Sequence, residues 1–191
     1  MDTEKLNALK EQAYKTAVEH GFHEDVKPDV FYLGLVMSEA GEAINADRKG
    51  LHADTKAFEE DEANGLPFAD NFKKHIKDGV EDEIADIVIR LLDFAGLKGY
   101  ELSFISYYQQ NNHVFLRELK ECGLSGVLFQ LMGSLSDALD GNCTGQGIIA
   151  LLSVFSDCFG MFTGCEKDLW WFVEKKMRFN KQRPMLNGKK Y

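Results

Sequence analysis

Two acidic stretches, Ser38-Glu-Ala-Gly-Glu-Ala43 and Val80-Glu-Asp-Glu-Ile-Ala-Asp-Ile87, decide how the rest of the chain reads. In each, two acids stand three residues apart, Glu39 with Glu42 and Glu83 with Asp86, inside a run of helical apolar spacing. On a helix that spacing puts both carboxylates on one face, with Cβ atoms roughly 5–6 Å apart. If the two helices pack side by side, four carboxylates converge. Unneutralised, such a cluster is costly, because like charges at close range disfavour joint ionisation. A hard divalent cation removes the conflict. Carboxylate oxygens are the ligands Mg²⁺ prefers, and Mn²⁺ accepts them too.

Working outward, the apolar pattern predicts a series of helices. The first runs over 2–20 on Leu6, Leu9, Ala13 and Ala17, with Gly21 as its stop. The second, over 28–49, carries Leu33, Val36, Ala40, Ala43 and Ile44 and ends at Gly50. The third, over 80–98, has a wide apolar stripe of Ile84, Ile87, Val88, Leu91, Leu92 and Ala95. Further helices are predicted over 101–122, 125–140, 147–162 and 166–182. Residues 51–78 break the pattern with an acidic run (Glu59 to Glu62), a Gly65-Leu66-Pro67 turn and a basic run (Lys73, Lys74, Lys77). They read as an insertion with a short helix of its own, a solvated excursion in preference to a substrate lid. Strand alternation is absent, so the expectation is an all-α bundle forming one domain over 1–191.

Composition narrows the function. The chain has 191 residues, 45% of them hydrophobic and 12% aromatic, enough for a real core. A net charge of −9 argues against sequence-independent nucleic-acid binding, which needs a basic face. A polyanionic substrate needs metal and a local cationic patch, and the stretch from Lys175 to Lys190 is basic. Cys122, Cys143, Cys158 and Cys165 have no metal-ligand spacing and read as reduced, mostly buried thiols. The five histidines show no ligand spacing either and read as exposed or loop residues. Without a signal peptide or an apolar run of membrane-spanning length, the expectation is a soluble, cytoplasmic protein with no membrane partner.

The second half looks like a worn copy of the first. Leu33, Met37 and Ala43 fall on Leu128, Met132 and Ala138, while Ile84, Asp93 and Gly96 fall on Ile148, Asp157 and Gly160. Leu102 falls near Leu169. The four acid positions become Ser134, Asp137, Gly147 and Ala150. The division is thus a metal-binding half over 1–122 and a degenerate half over 123–191 that carries the cationic C-terminal helix.

Glu39-Ala-Gly-Glu42, Glu83-Ile-Ala-Asp86 and Lys176-Met-Arg-Phe-Asn180-Lys-Gln-Arg183-Pro184 together resemble the MazG-like branch of the all-α nucleoside triphosphate pyrophosphatases, which is related to the dimeric dUTPases. The ending Asn187-Gly-Lys-Lys-Tyr191 is similar to that of many relatives. The matching stretches cover under a third of the chain. Two departures stand out: a longer gap between the acid pairs, and a cationic helix one set of helices further downstream. The resemblance implies a MazG-like four-helix core and hydrolysis of a nucleoside triphosphate to the monophosphate and pyrophosphate. It implies that Glu39, Glu42, Glu83 and Asp86 hold Mg²⁺ (or Mn²⁺), with Glu39 also orienting or deprotonating the attacking water. Lys176, Asn180 and Arg183 would bind substrate, and Tyr107, Tyr108, Trp170 and Trp171 could wall a base pocket or serve the core. It also implies a homodimer. The alternatives are a relative that binds nucleotide or a partner without hydrolysing it, and a pyrophosphohydrolase of another phosphorylated nucleotide.

Overall fold

A computed structural model describes residues 1–25, 27–103, 121–129, 133 and 145–185. Among these residues there is no strand, and the fold is all-α. The helices are α1 (Thr3–Glu19), α2 (Asp29–Arg48), α3 (Thr55–Ala63), α4 (Phe68–His75), α5 (Val80–Leu97), α6 (Gly145–Thr163) and α7 (Leu169–Asn180). Residues 121–129 are also helical, with Gly123 in left-handed backbone at φ 65°.

The helix ends follow from local chemistry. Asp2 caps α1 by accepting from the Lys5 amide at 2.7 Å, and Asp168 caps α7 by accepting from Trp171 at 2.9 Å. The cap explains why α7 begins at Leu169 rather than Glu166. Gly21 and Gly50 follow α1 and α2 with φ of 81° and 64°, a conformation that glycine adopts without a Cβ penalty.

Helix α5 is the centre of the bundle, packed against α1, α2, α6 and α7. Its stripe from Val80 to Ala95 is buried almost all round. Helix α1 approaches it closely at Gly96, where a Cβ would lie 2.5 Å from the Tyr14 Cβ. The first turn of α5 holds Glu81, Asp82 and Glu83, where negative charge complements the helix dipole.

The insertion is not a solvated excursion. It forms two short helices, and its ends are pinned together by Val80 donating to the Leu51 carbonyl at 2.9 Å and Asp54 to the His75 carbonyl at 2.9 Å. Phe58 and Phe72 are fully buried. Phe72 stacks on Phe179 of α7 at 4.6 Å, and Lys175 sits over Phe58, Phe68 and Trp171 at 5.1–5.9 Å. The apolar residues of 51–78, masked in sequence by the charge runs, drive this packing.

Helix α6 also departs from expectation: with a mean hydropathy of 1.4 it is long and apolar enough to cross a membrane. Here Ile148, Leu152, Phe155 and Phe159 turn inward against α5 and α7. Residues 101–103 of the helix predicted over 101–122 are not helical and 104–120 lie outside the described residues, as do most of 125–140, Met132, Ser134, Asp137 and Ala138 of the repeat, and the ending 187–191. Cys158 is buried, but Cys122 is exposed and Cys165 half-buried. Cys143 lies outside the described residues.

Candidate active site

Helices α2 and α5 run antiparallel, so Glu39 meets the start of α5 while Tyr32 meets Phe94 near its end. Glu39, Glu83 and Asp86 offer carboxylate oxygens that all lie within 4.8 Å of one another. Three of the four expected acids therefore converge. Glu42 is exposed and stands at the margin, close enough for its charge to raise the pKa of both Glu39 and Glu83.

The electrostatics of the group are strained. Burial pushes Glu83 up to about 8, with Asp82, Asp86 and Glu42 adding to the shift and Lys176 opposing it. Burial likewise raises Glu39 above the usual carboxylate range, although Arg90 works against it. Arg90 reaches Glu39 Oε1 with both Nε (2.6 Å) and Nη2 (2.5 Å).

Spacing did not single out Asp82, because an acid in the first turn of a helix is normally just a solvated one. It is buried, its Oδ2 accepting from the Asp78 amide at 3.0 Å and from Lys176 Nζ at 2.7 Å. Burial pushes it up to about 6, and its Oδ1 has no hydrogen-bond partner among the described residues. Lys176 Nζ also lies 2.8 Å from Asp86 Oδ2. Burial opposes the lysine's charge, but Asp86 and Asp82 together outweigh it and hold its pKa above the ordinary lysine value. Lys176 is thus the internal counter-ion of the acid cluster rather than a cation leaning over open space.

Beside the acids opens a cleft with about 930 Å³ of empty space, a figure that includes the open solvent at its mouth. Its walls include Glu39 and Tyr32 of α2, Asp86, Arg90 and Asp93 of α5, and Asn180 of α7. Arg183 also lines it, its backbone carbonyl bonded to His20 Nε2 at 3.0 Å. Asn180 Oδ1 is buried, without a partner among the described residues. Glu39, Asp86, Asn180 and Arg183 therefore share one space, while Glu83 and Lys176 stand outside its lining, each beside Asp86.

Two histidines taken for exposed residues are structural parts of this region. His20 is buried, and His23 Nε2 lies 2.7 Å from Asp93 Oδ1. The His23–Asp93 pair spans 70 positions, and no local signal could have revealed it. Trp170 does not wall the cleft; its indole donates to Ser156 Oγ at 3.1 Å. Trp171 packs on Phe58 and Phe172. Tyr107 and Tyr108 lie outside the described residues. The aromatic walls of the cleft are Phe22, Phe31 and Tyr32.

No family model matches the chain, and neither a curated protein nor a solved structure does so. The site must be read from its own chemistry.

The donor set suits a hard divalent ion. Glu39, Glu83 and Asp86 supply only carboxylate oxygen, and Glu83, raised chiefly by burial and further by its acidic neighbours, is a carboxylate whose charged form a cation would favour.

Proposed function

We propose that this cleft hydrolyses nucleoside triphosphates, with Mg²⁺, to the monophosphate and pyrophosphate. The observation that carries the reading is the convergence of Glu39, Glu83 and Asp86 beside a cleft lined by Asn180 and Arg183. Glu39, Glu83 and Asp86 would hold the ion, with Glu42 at its edge. A bound Mg²⁺ supplies charge for the phosphates and lowers the pKa of a coordinated water.

The chain's own residues divide the remaining work. Glu39, its Oε1 anchored by Arg90, is oriented to accept a proton from the attacking water, and its raised pKa suits a general base. Arg183 can clamp phosphate oxygens in bidentate fashion. The Asn180 side chain can donate an amide N–H to a phosphate oxygen, and its Oδ1, which has no partner among the described residues, can accept from a ribose hydroxyl. Lys176 holds Asp82 and Asp86 in place, and its positive charge would offset part of the acids' repulsion toward a phosphate.

That same lysine favours a second reading. With an ammonium already bridging Asp82 and Asp86, the cleft could bind a nucleotide without hydrolysing it. Release of pyrophosphate from a triphosphate panel separates the two. The expected result is Mg²⁺-dependent release from at least one triphosphate, lost in Asp86→Asn and in chelator. Bound but intact triphosphate would establish the binding reading instead.

A further inference from the structure

Asp93 is a cleft-lining carboxylate for which phosphate chemistry has no use. It lies seven residues beyond Asp86 on α5, two helical turns or about 10 Å along the axis, which is the scale of one nucleoside. The groups around it differ from those at the acid end. Phe22, Phe31 and Tyr32 line the cleft with aromatic surface, suited to a flat ring. His23 fixes the carboxylate: its Nε2 donates to Asp93 Oδ1 at 2.7 Å, and its ring is wedged between Tyr14 and Tyr32 at 5.3 and 5.6 Å. The His23 side chain is only 6% exposed, whereas that of Asp93 keeps 19% of its surface. The pair is thus a buried support behind a partly open acceptor.

We propose that Asp93 reads the nucleobase by accepting a hydrogen bond from a ring amino group, so that the cleft favours triphosphates of cytosine, adenine or guanine over those of uracil and thymine. The inference rests on the triphosphate reading above. An ionised carboxylate is acceptor-only. Cytosine and adenine present an exocyclic –NH₂ to such a group, and guanine presents an amino group beside a ring N–H. Uracil and thymine offer a single ring N–H flanked by two carbonyl oxygens, which face a carboxylate with like partial charge. A site built around a polar group discriminates strongly when a ligand leaves that group unpaired.

The test is pyrophosphate release with Mg²⁺ from dCTP, dATP, dGTP, dUTP and dTTP, on wild type and on Asp93→Asn. The expected wild-type result is a kcat/KM for the best amino-bearing substrate at least about tenfold above dUTP and dTTP. Asparagine can donate as well as accept, so Asp93→Asn should bring that ratio close to one. Hydrolysis of dUTP or dTTP as fast as the best amino-bearing substrate overturns the proposal, and so does an unchanged ratio in the variant. If the variant does not fold, the wild-type panel decides alone. If wild type hydrolyses no triphosphate, the hydrolase reading has failed and calorimetry with the five monophosphates decides the subsite. Tighter binding of dCMP, dAMP or dGMP than of dUMP and dTMP upholds it, and equal or reversed affinities refute it.

Discussion

Replacing Glu83 with glutamine should stabilise the metal-free protein at alkaline pH while abolishing its response to Mg²⁺. The carboxyl ordinarily titrates at 4.5 and is pushed up to about 8 in the folded chain, chiefly by burial. Well below 4.5 it is protonated in both states. Between the two values the unfolded chain ionises while the folded chain holds its proton. The folded state therefore loses stability as pH rises toward 8, and the loss levels off above it. Linkage gives a difference of roughly 3 kcal/mol between about pH 5.5 and pH 8.5. For a chain of this length that corresponds to about 6–12 °C in Tm. Glutamine keeps the shape and carries no charge, so Glu83→Gln should lack this component. Thermal melts of both proteins in chelator across that range measure it: the variant should gain on wild type as pH rises. Adding Mg²⁺ at about pH 8 should then raise the wild-type Tm, by binding only the folded state, and leave the variant nearly unmoved. Parallel pH curves for the two proteins would refute the reasoning, because they would mean that Glu83 is ionised and satisfied without a metal.

Three further substitutions probe the support around the acids. Arg90→Ala removes both contacts to Glu39 Oε1, so denaturant melts should show a loss of about 2 kcal/mol and pyrophosphate release should fall as far as in Glu39→Gln. Lys176→Met leaves Asp82 buried beside Asp86 without its cation, and a destabilisation of roughly 3–5 kcal/mol is expected in chelator, partly restored by Mg²⁺. Gly96→Ala would place a methyl 2.5 Å from the Tyr14 Cβ at the α1–α5 crossing, which should cost about 1–3 kcal/mol in the same melts without changing the order of substrate preference.

Helix positions were readable because the apolar spacing around Ile84–Ala95 and the glycines at 21, 50 and 99 are local signals, and the structure keeps them. The acid pairs were readable for the same reason, since residues three apart on a helix share a face. What escaped is whatever depends on the far side of a contact. Nothing local marks Asp82 as buried, because its burial is produced by α7 bringing Lys176 onto it from 94 residues away. Phe58 and Phe72 were hidden by charged neighbours that turn outward while the rings turn in. Lys176 was legible as a cation of the site, but its partners were not. Its spacing from Asn180 says that the two share a helix side, and only the packing of α7 on α5 says that the lysine faces the acids.

The charge balance of the cluster leads to a stricter test of the metal than activity does. Fully ionised, and with exposed Glu42 left to solvent, Glu39, Asp82, Glu83 and Asp86 carry four negative charges, and Arg90 and Lys176 return two positive ones. The remaining two match one divalent ion. Without a metal, Glu83, held up at about 8 by burial, instead keeps a proton at neutral pH, while at Asp82 the Lys176 ammonium opposes the upward push of burial. A cation that takes Glu83 as ligand must displace that proton, because metal ligands bind deprotonated. Mg²⁺ binding at about pH 7 should therefore release close to one proton per ion, falling toward zero by about pH 9.5 as Glu83 ionises unaided. Calorimetric titration in two buffers of different ionisation enthalpy counts the proton directly, whether or not any nucleotide is turned over. Mg²⁺ binding with no proton release at neutral pH would place the ion away from Glu83 and dissolve the site as drawn.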